Sequence, residues 1–270
     1  SSESRRHSAL LLNDDGDALD DKSFYHKFIT ALRRDWDIVD EGKMVDLLGI
    51  QVIYNEDKTI TLHQMKYISA MLDRFYPKGL PQRVSRATLP FTKSIREHVI
   101  DALDLHSASG VQHPELVQLY QQRIGSLMYC CTACRVDVAY PVHLLCRCMS
   151  CPTPELMNET DHVFAYLSRH RSVGLTFGPG GSQLHGFSDA SWETHQSTSG
   201  WVVMWKSAPL AWGSNRQKCT ALSSCEAEII ALSEAAKDMV YFRKFVSGLD
   251  PSYVSGPSNL STDNQAARDL

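Results

Sequence analysis

Gly186-Phe-Ser-Asp-Ala-Ser-Trp192 decides how this chain is read, because it sets an aspartate, Asp189, at the end of a strand-like run. The small residues Ala190 and Ser191 follow it and leave room for a metal ion and a phosphate. Two later segments supply matching acids. Ala221-Leu-Ser-Ser-Cys-Glu-Ala-Glu-Ile-Ile-Ala-Leu232 reads as the start of a helix carrying Glu228, and Leu260-Ser-Thr-Asp-Asn-Gln265 as the end of a later strand carrying Asp263. Hard divalent cations take oxygen ligands, so a set of Asp and Glu suits Mg²⁺ or Mn²⁺. In two-metal phosphodiester chemistry, two ions about 3.5–4 Å apart are held by such carboxylates. Alone, Asp189 reads better as a turn-initiating residue, and Asp263 as the N-cap of the helix that follows. Singly each is weak, and the metal-binding reading needs the three acids together, in the wording of their segments.

The helix offers two acids, and geometry chooses between them. At about 100° per residue, Glu226 and Glu228 point roughly 200° apart and cannot address one site. Ser223 and Glu226 have capping-box spacing, which gives Glu226 a structural role. Glu228 shares a stripe with Leu232, Ala235 and Met239, and a carboxylate on an apolar stripe is costly unless paired or metal-bound. Glu228 is therefore the expected ligand.

Outward from these segments, apolar periodicity predicts a helix over 23–36, a hairpin of strands 47–53 and 59–62 turning at 55–57, and a helix over 64–75 that stops before Pro77. Residues 77–113 show weak periodicity and read as a long connection. Helices are expected over 114–129, 137–149 and 154–168. The Gly178-Pro-Gly-Gly-Ser182 cluster is the clearest turn and marks a boundary. Beyond it, strands near 183–189, 199–206 and 209–213 are expected, with an extended run up to 222. A helix over 224–247 and a strand over 259–263 complete the pattern. The expected fold class is mixed α/β, with a helical, α+β first part followed by a mixed sheet with helices.

The 270 residues carry a formal net charge of −4, 43% hydrophobic and 21% charged residues, which is globular composition without a bulk electrostatic attraction to nucleic acid. Local basic tracks remain, at Arg169-His170-Arg171 and at Arg216 and Lys218. Ser197, Thr198 and Ser199, at the start of the second strand, are further candidate backbone contacts. Solvated loop charges explain the basic tracks equally well. The most apolar stretch, 124–149, is interrupted by Arg135, Asp137 and Pro141, so no membrane partner is expected. Cys130, Cys131, Cys134, Cys146, Cys148 and Cys151 have zinc-like spacing, but on continuous helices they read better as small buried hydrophobes. The absence of a signal peptide or a disulfide framework suggests an intracellular location. Both ends of the chain read as cuts.

The wording of these segments goes beyond spacing. "SDASW", "STSGWVV", "ALSSCEAEIIALSEAAKD" and "TDNQAA", in that order, resemble the ribonuclease H domain of copia-type retrotransposon Pol polyproteins. Upstream, "LLGIQVIYNEDKTITLHQMKYISAMLDRF" resembles the end of their reverse transcriptase. "YQQRIGSLMYCCTACRVDVAYPVHLL" and "HVFAYLSRHRSVGLTFG" resemble the connecting stretch. The resemblance covers most of residues 36–270. It implies the end of a reverse transcriptase palm and thumb-like region over 1–90, a helical thumb or connection over 91–178, and an incomplete ribonuclease H-like domain over 179–270. It also implies Asp189, Glu228 and Asp263 as catalytic metal ligands, and two Mg²⁺ (or Mn²⁺) ions as cofactors. A fourth acidic ligand, a fifth strand and a final helix would lie past Leu270. The implied partners are an RNA–DNA hybrid and the rest of the Pol polyprotein, including upstream reverse transcriptase and integrase. The implied setting is a cytoplasmic particle or the nucleus. Asp14 and Asp15 sit where the polymerase metal pair of that family falls, although Leu12-Asn13 before them departs from its pattern, and an acidic solvated turn explains the pair as well.

Three functions compete. The first is Mg²⁺-dependent cleavage of RNA in RNA–DNA hybrids, favoured by the intact acids. The second is a decayed or non-enzymatic nucleic-acid-binding remnant, favoured by the residues before Asp14, the short 191–200 loop and the missing C-terminal segment. The third, an unrelated nuclease-fold protein such as a transposase or resolvase, is opposed by the reverse transcriptase-like first half.

Overall fold

The computed structural model describes residues 21–39, 43–84, 87–178, 183–192, 196–249, 251–254 and 256–268. Residues 1–44 and 45–270 form separate compact units. In the first unit the described element is helix α1 (Asp21–Asp35), with Arg33 and Arg34 in its last turn, where cations suit the helix dipole.

The second unit is mixed α/β with two four-stranded sheets. The first contains β1 (Asp46–Leu47), β2 (Ile50–Tyr54), β3 (Ile60–His63) and β4 (Leu175–Phe177), paired antiparallel in that order. The expected strand 47–53 is broken, because Leu48 and Gly49 adopt φ of +53° and +79° and turn the chain between β1 and β2. The strand from 175 was not expected at all. Its three residues are too few to show alternation, and Thr61 and Thr176 hydroxyls meet at 3.0 Å across the new pair.

Between β3 and β4 the chain forms a helical block: α2 (Met65–Phe75), α3 (Ile95–Ser109), α4 (Pro114–Ala133), α5 (Ala139–Cys146) and α6 (Pro154–Arg169). In α6, Pro154 opens the helix and the Thr153 hydroxyl accepts from Leu156 N–H, satisfying a first-turn donor. Leu156, Val163, Phe164 and Leu167 of α6 are fully buried, against Ile68, Val99, Ile124, Leu127 and Leu145. Helix α3 corrects the expectation of a long connection over 77–113. Its inward positions Ile95, Val99 and Ala102 are buried, but Ile100 and Leu105 are exposed apolar residues that blur the period in sequence. The cysteines at 130, 131, 134, 148 and 151 are buried, and burial first of all pushes Cys130, Cys131 and Cys148 up to about 12.

A buried polar network stitches α2, α4 and α6 together. Arg123 Nη1 donates to Asp161 Oδ1 at 2.7 Å and to the Thr160 hydroxyl at 3.0 Å. Tyr76 Oη donates to Asp161 at 2.6 Å, and Arg83 pairs with its other oxygen. Nearby, the fully buried Arg135 forks onto both oxygens of Asp137, at 2.9 and 2.7 Å, and donates to His170 O. Such bidentate pairs are strong and geometrically specific.

The second sheet contains β5 (His185–Ser191), β6 (Thr198–Trp205), β7 (Ala208–Arg216) and β8 (Asn259–Ser261), in the order β7-β6-β5-β8. β5, β6 and β7 form an antiparallel meander, and β8 lies parallel to β5. Helix α7 (Ser224–Leu249) packs on one face, closing a core of Leu184, Val203, Met239 and Val246. Gly186 permits this approach, because a Cβ there would meet Leu260 Cδ1 at 2.8 Å and Met239 Cε at 2.9 Å. The expected run of extended residues to 222 ends instead at Arg216. A short helix, α8 (Gln265–Arg268), follows β8.

Three outcomes test these networks. Arg123→Met leaves Asp161 under-compensated in the core and is expected to destabilise the fold by about 3–5 kcal/mol in urea unfolding. Arg123→Met combined with Asp161→Leu should cost less than the sum of the single changes. For Asp137, burial alone would raise the carboxyl, but hydrogen bonds and charge from Arg135, aided by Tyr166, hold it below the ordinary 3.8. Its stabilising contribution is therefore present above that value and lost as pH falls through the depressed one. Asp137→Asn should lower stability at pH 7 and flatten the loss below about pH 4, as read by thermal melts across pH.

Candidate metal centre

The carboxyl ends of the parallel strands β5 and β8 meet at one edge of the second sheet, where open α/β sheets bind ligands. Phe187 is in register with Ser261, so Asp189 and Asp263 each lie two residues past the last pair. Glu228, in the second turn of α7, reaches the same point. Ligand oxygens of Asp189, Glu228 and Asp263 all lie within 4.8 Å of one another. The three residues singled out in the sequence are brought together.

Their surroundings differ. Asp189 and Asp263 are exposed, whereas Glu228 is 5% exposed. Glu228 Oε1 accepts from Ala190 N–H and Oε2 from the Thr262 hydroxyl, each at 3.2 Å. The carboxylate is thus fixed between the ends of the two strands that carry the aspartates. Burial drives the Glu228 carboxyl upward; the two hydrogen bonds oppose this, and Asp189 and Asp263 reinforce it. Among the described residues no ion pair holds any of the three acids. An all-oxygen donor set with uncompensated mutual repulsion fits a hard divalent cation, which would remove the repulsion and reward the buried acid.

Glu226 turns away, as its spacing requires. Its N–H donates to the Ser223 hydroxyl at 3.1 Å, and its carboxylate accepts from Leu222 N–H at 2.6 Å, one residue earlier than an ordinary capping box. The cap that Asp263 offered in sequence is supplied by Asn264, whose Oδ1 accepts from Ala267 N–H at 3.0 Å. That leaves Asp263 facing the cluster.

Gln217 was passed over in the sequence as part of a basic track, yet it links two of the elements that surround the site. Its buried amide donates to the Ser199 hydroxyl at 2.9 Å and to Ala227 O at 2.8 Å, tying β6 to the first turn of α7. Trp192 Nε1 donates to Ala221 O at 3.1 Å and pins the segment before α7 to the end of β5. Only a tertiary structure brings residues 199, 217 and 227 together, so no local pattern signalled the role. Ser197 and Ser199 are buried, Thr198 is half-buried, and Arg216 and Lys218 are exposed. Asp14 and Asp15 lie outside the described residues.

Comparison with known proteins gives the chain a family. No protein-family model matches it. It is 27% identical over 259 residues to a retrovirus-related Pol polyprotein from transposon TNT 1-94 of Nicotiana tabacum, covering 93% of this chain and 18% of that protein. It is 24% identical over 234 residues to the Pol polyprotein from transposon RE1 of Arabidopsis thaliana, covering 85% of this chain and 15% of that protein. A protein of Plasmopara viticola, named secreted RxLR effector protein 161, is 35% identical over 127 residues, which is 89% of its length and 45% of this chain. The chain thus spans less than a fifth of the two polyproteins and about half of it matches nearly all of the Plasmopara protein. The chain belongs to the sequence family that joins that protein to the retrovirus-related Pol polyproteins of transposons.

Proposed function

We propose that this chain is a ribonuclease H-type nuclease, hydrolysing the RNA strand of an RNA–DNA hybrid within a retrotransposon Pol context. The observation that carries the reading is the convergence of Asp189, Glu228 and Asp263 within 4.8 Å at the carboxyl ends of two parallel strands. Asp189, Glu228 and Asp263 would hold the divalent ions, which when bound supply an activated water and charge stabilisation at the leaving oxygen. The chain's own contribution is order. Ala190 N–H and the Thr262 hydroxyl orient Glu228 before any substrate arrives, and Gln217 and Trp192 hold α7 against β5 and β6. Two exposed aspartates beside one buried glutamate leave the cluster open to solvent on one side, as a polymeric substrate requires. Choice of the RNA strand would rest on A-form geometry and 2′-hydroxyl groups.

The deciding experiment is cleavage of an end-labelled RNA–DNA hybrid in Mg²⁺ or Mn²⁺. Wild type should cut only the RNA strand, and Asp189→Asn and Glu228→Gln should each lower the rate by 10²-fold or more, as expected when a metal ligand is lost (about 3 kcal/mol of barrier). Glu226→Gln should retain activity within several-fold. A folded wild-type chain that cuts neither strand would instead fit the non-enzymatic, nucleic-acid-binding reading.

Stability provides an independent check on Glu228. A carboxyl raised by folding loses its contribution as pH rises through the raised value, so the ion-free protein carries a penalty at neutral pH. Glu228→Gln should raise the Tm of the ion-free protein by a few degrees, the shift expected for about 1 kcal/mol in a chain of this size. The same variant should lose most of the thermal stabilisation that Mg²⁺ or Mn²⁺ gives wild type.

A further inference from the structure

A closed ring of contacts leaves Glu228 and returns to it through Gln217. Just past the ends of the β6–β7 ladder, Gln217 N–H donates to Ser197 O at 2.8 Å, which fixes the backbone of Gln217 against the sheet. From there its side-chain amide reaches two places at once, the Ser199 hydroxyl at 2.9 Å and Ala227 O at 2.8 Å. Both contacts bear on Glu228. The Ala227 carbonyl belongs to the planar peptide unit that continues into Glu228, so this bond grips the backbone from which the acid projects. Ser199 is the cross-strand partner of Ala190, whose N–H holds Glu228 Oε1 at 3.2 Å. Glu228 is thus held at its carboxylate by β5 and at its peptide by Gln217, and the two holds meet at the Ala190–Ser199 pair.

The ring is buried, with Gln217 4%, Ser199 2% and Ala227 0% exposed. Stability does not account for an amide at this point. Gln217 Oε1 is buried and has no hydrogen-bond partner among the described residues. A buried amide oxygen left unpaired is a cost that an apolar side chain of similar size would avoid. The Ala227 carbonyl does not depend on a second donor either, because it lies inside α7, where a carbonyl accepts from the N–H four residues on. What the amide supplies is geometry: two N–H donors in a fixed plane that tie one strand to one turn of the helix.

We propose that Gln217 is a positioning residue of the metal centre, setting the height of Glu228 along α7 against the aspartate on β5. The inference rests on the nuclease reading and deepens it. Asp189 precedes Ala190 in β5, so a small slide of α7 along that strand would part Glu228 from Asp189 without unfolding either element. Small hard cations demand near-ideal ligand geometry, and such constellations must be held to within about 0.5 Å. Trp192 pins the approach to α7 at Ala221, whereas Gln217 acts in the turn that carries the ligand itself. Loss of the amide is therefore felt in ion affinity and turnover rather than in folding or in hybrid binding.

The test compares wild type, Gln217→Met and Ser199→Ala as full chains, by thermal melts over titrations of Mg²⁺ and Mn²⁺ and by cleavage of an RNA–DNA hybrid. Gln217→Met, similar in size and without donors, should melt within a few degrees of wild type when ion-free, yet need about tenfold more ion for half of its stabilisation. Its kcat should fall about tenfold, with KM for the hybrid within about twofold. Ser199→Ala removes one anchor of the amide and should have a smaller effect; added to Gln217→Met it should change nothing further. Additive losses would put the two residues in separate roles and overturn the ring. Gln217→Met that takes up ions and turns over like wild type would overturn the positioning role and leave the nuclease reading standing. Gln217→Met that fails to fold, or melts far below wild type, would make the residue a structural tie and overturn the role as well. A folded wild type that neither ion stabilises and that cuts no RNA would remove the nuclease reading, and the proposal with it.

Discussion

A buried glutamate held beside two aspartates is the constraint around which the second sheet is arranged. Among the described residues no cation pairs with Glu228, yet its carboxylate is fixed by hydrogen bonds from the ends of both strands that present its neighbours. Packing that favoured stability alone would place an apolar residue at this point of α7, as at Ala231, Ala235 and Met239 further along the same helix. The fold instead holds three like charges within one cation's reach. Local destabilisation of this kind is characteristic of functional sites, which oppose the surrounding structure and are sustained by it.

The supports of that site are distributed and specific. Gln217 spans from β6 to α7, Trp192 ties the approach to α7 to the end of β5, and Trp201 reaches Asp238 from the middle of the sheet at 2.7 Å. Gly213 makes the last contact possible, since a Cβ there would stand 2.3 Å from the Trp201 ring. Trp212, on the opposite face, donates to Cys131 O and locks the sheet onto the helical block. Helix α7 is therefore located by the sheet it packs on, and the sheet by the helices behind it.

Much of this was legible in the sequence wherever information is local. The choice of Glu228 over Glu226 followed from helical periodicity and capping-box spacing, and the observed partners of the two residues differ as that geometry requires. The turn at 55–57 and the helices beginning at Pro114 and Pro154 carried their own turn and first-turn residues. What could not be read depends on distant partners. Helix α3 hides its inward stripe among exposed apolar residues, β4 is too short to declare itself, and the Arg123–Asp161 pair joins helices 38 residues apart in sequence. Gln217 looked like a member of a charged loop because its partners come from two other elements.

The pairing of β3 with β4 has a kinetic consequence. Thr61 and Thr176 meet although they are 115 positions apart in the chain, so the first sheet cannot be completed until the entire helical block has been synthesised. Closing so long a loop carries an entropic cost that local helix formation does not, and non-local pairings of this kind slow folding. A ribosome-bound chain would display β2 and β3 as an unfinished hairpin with an open edge, a surface prone to pairing with other chains until β4 emerges. The strand that begins at Leu175 thus acts as the closing piece of one sheet immediately before the chain begins the next.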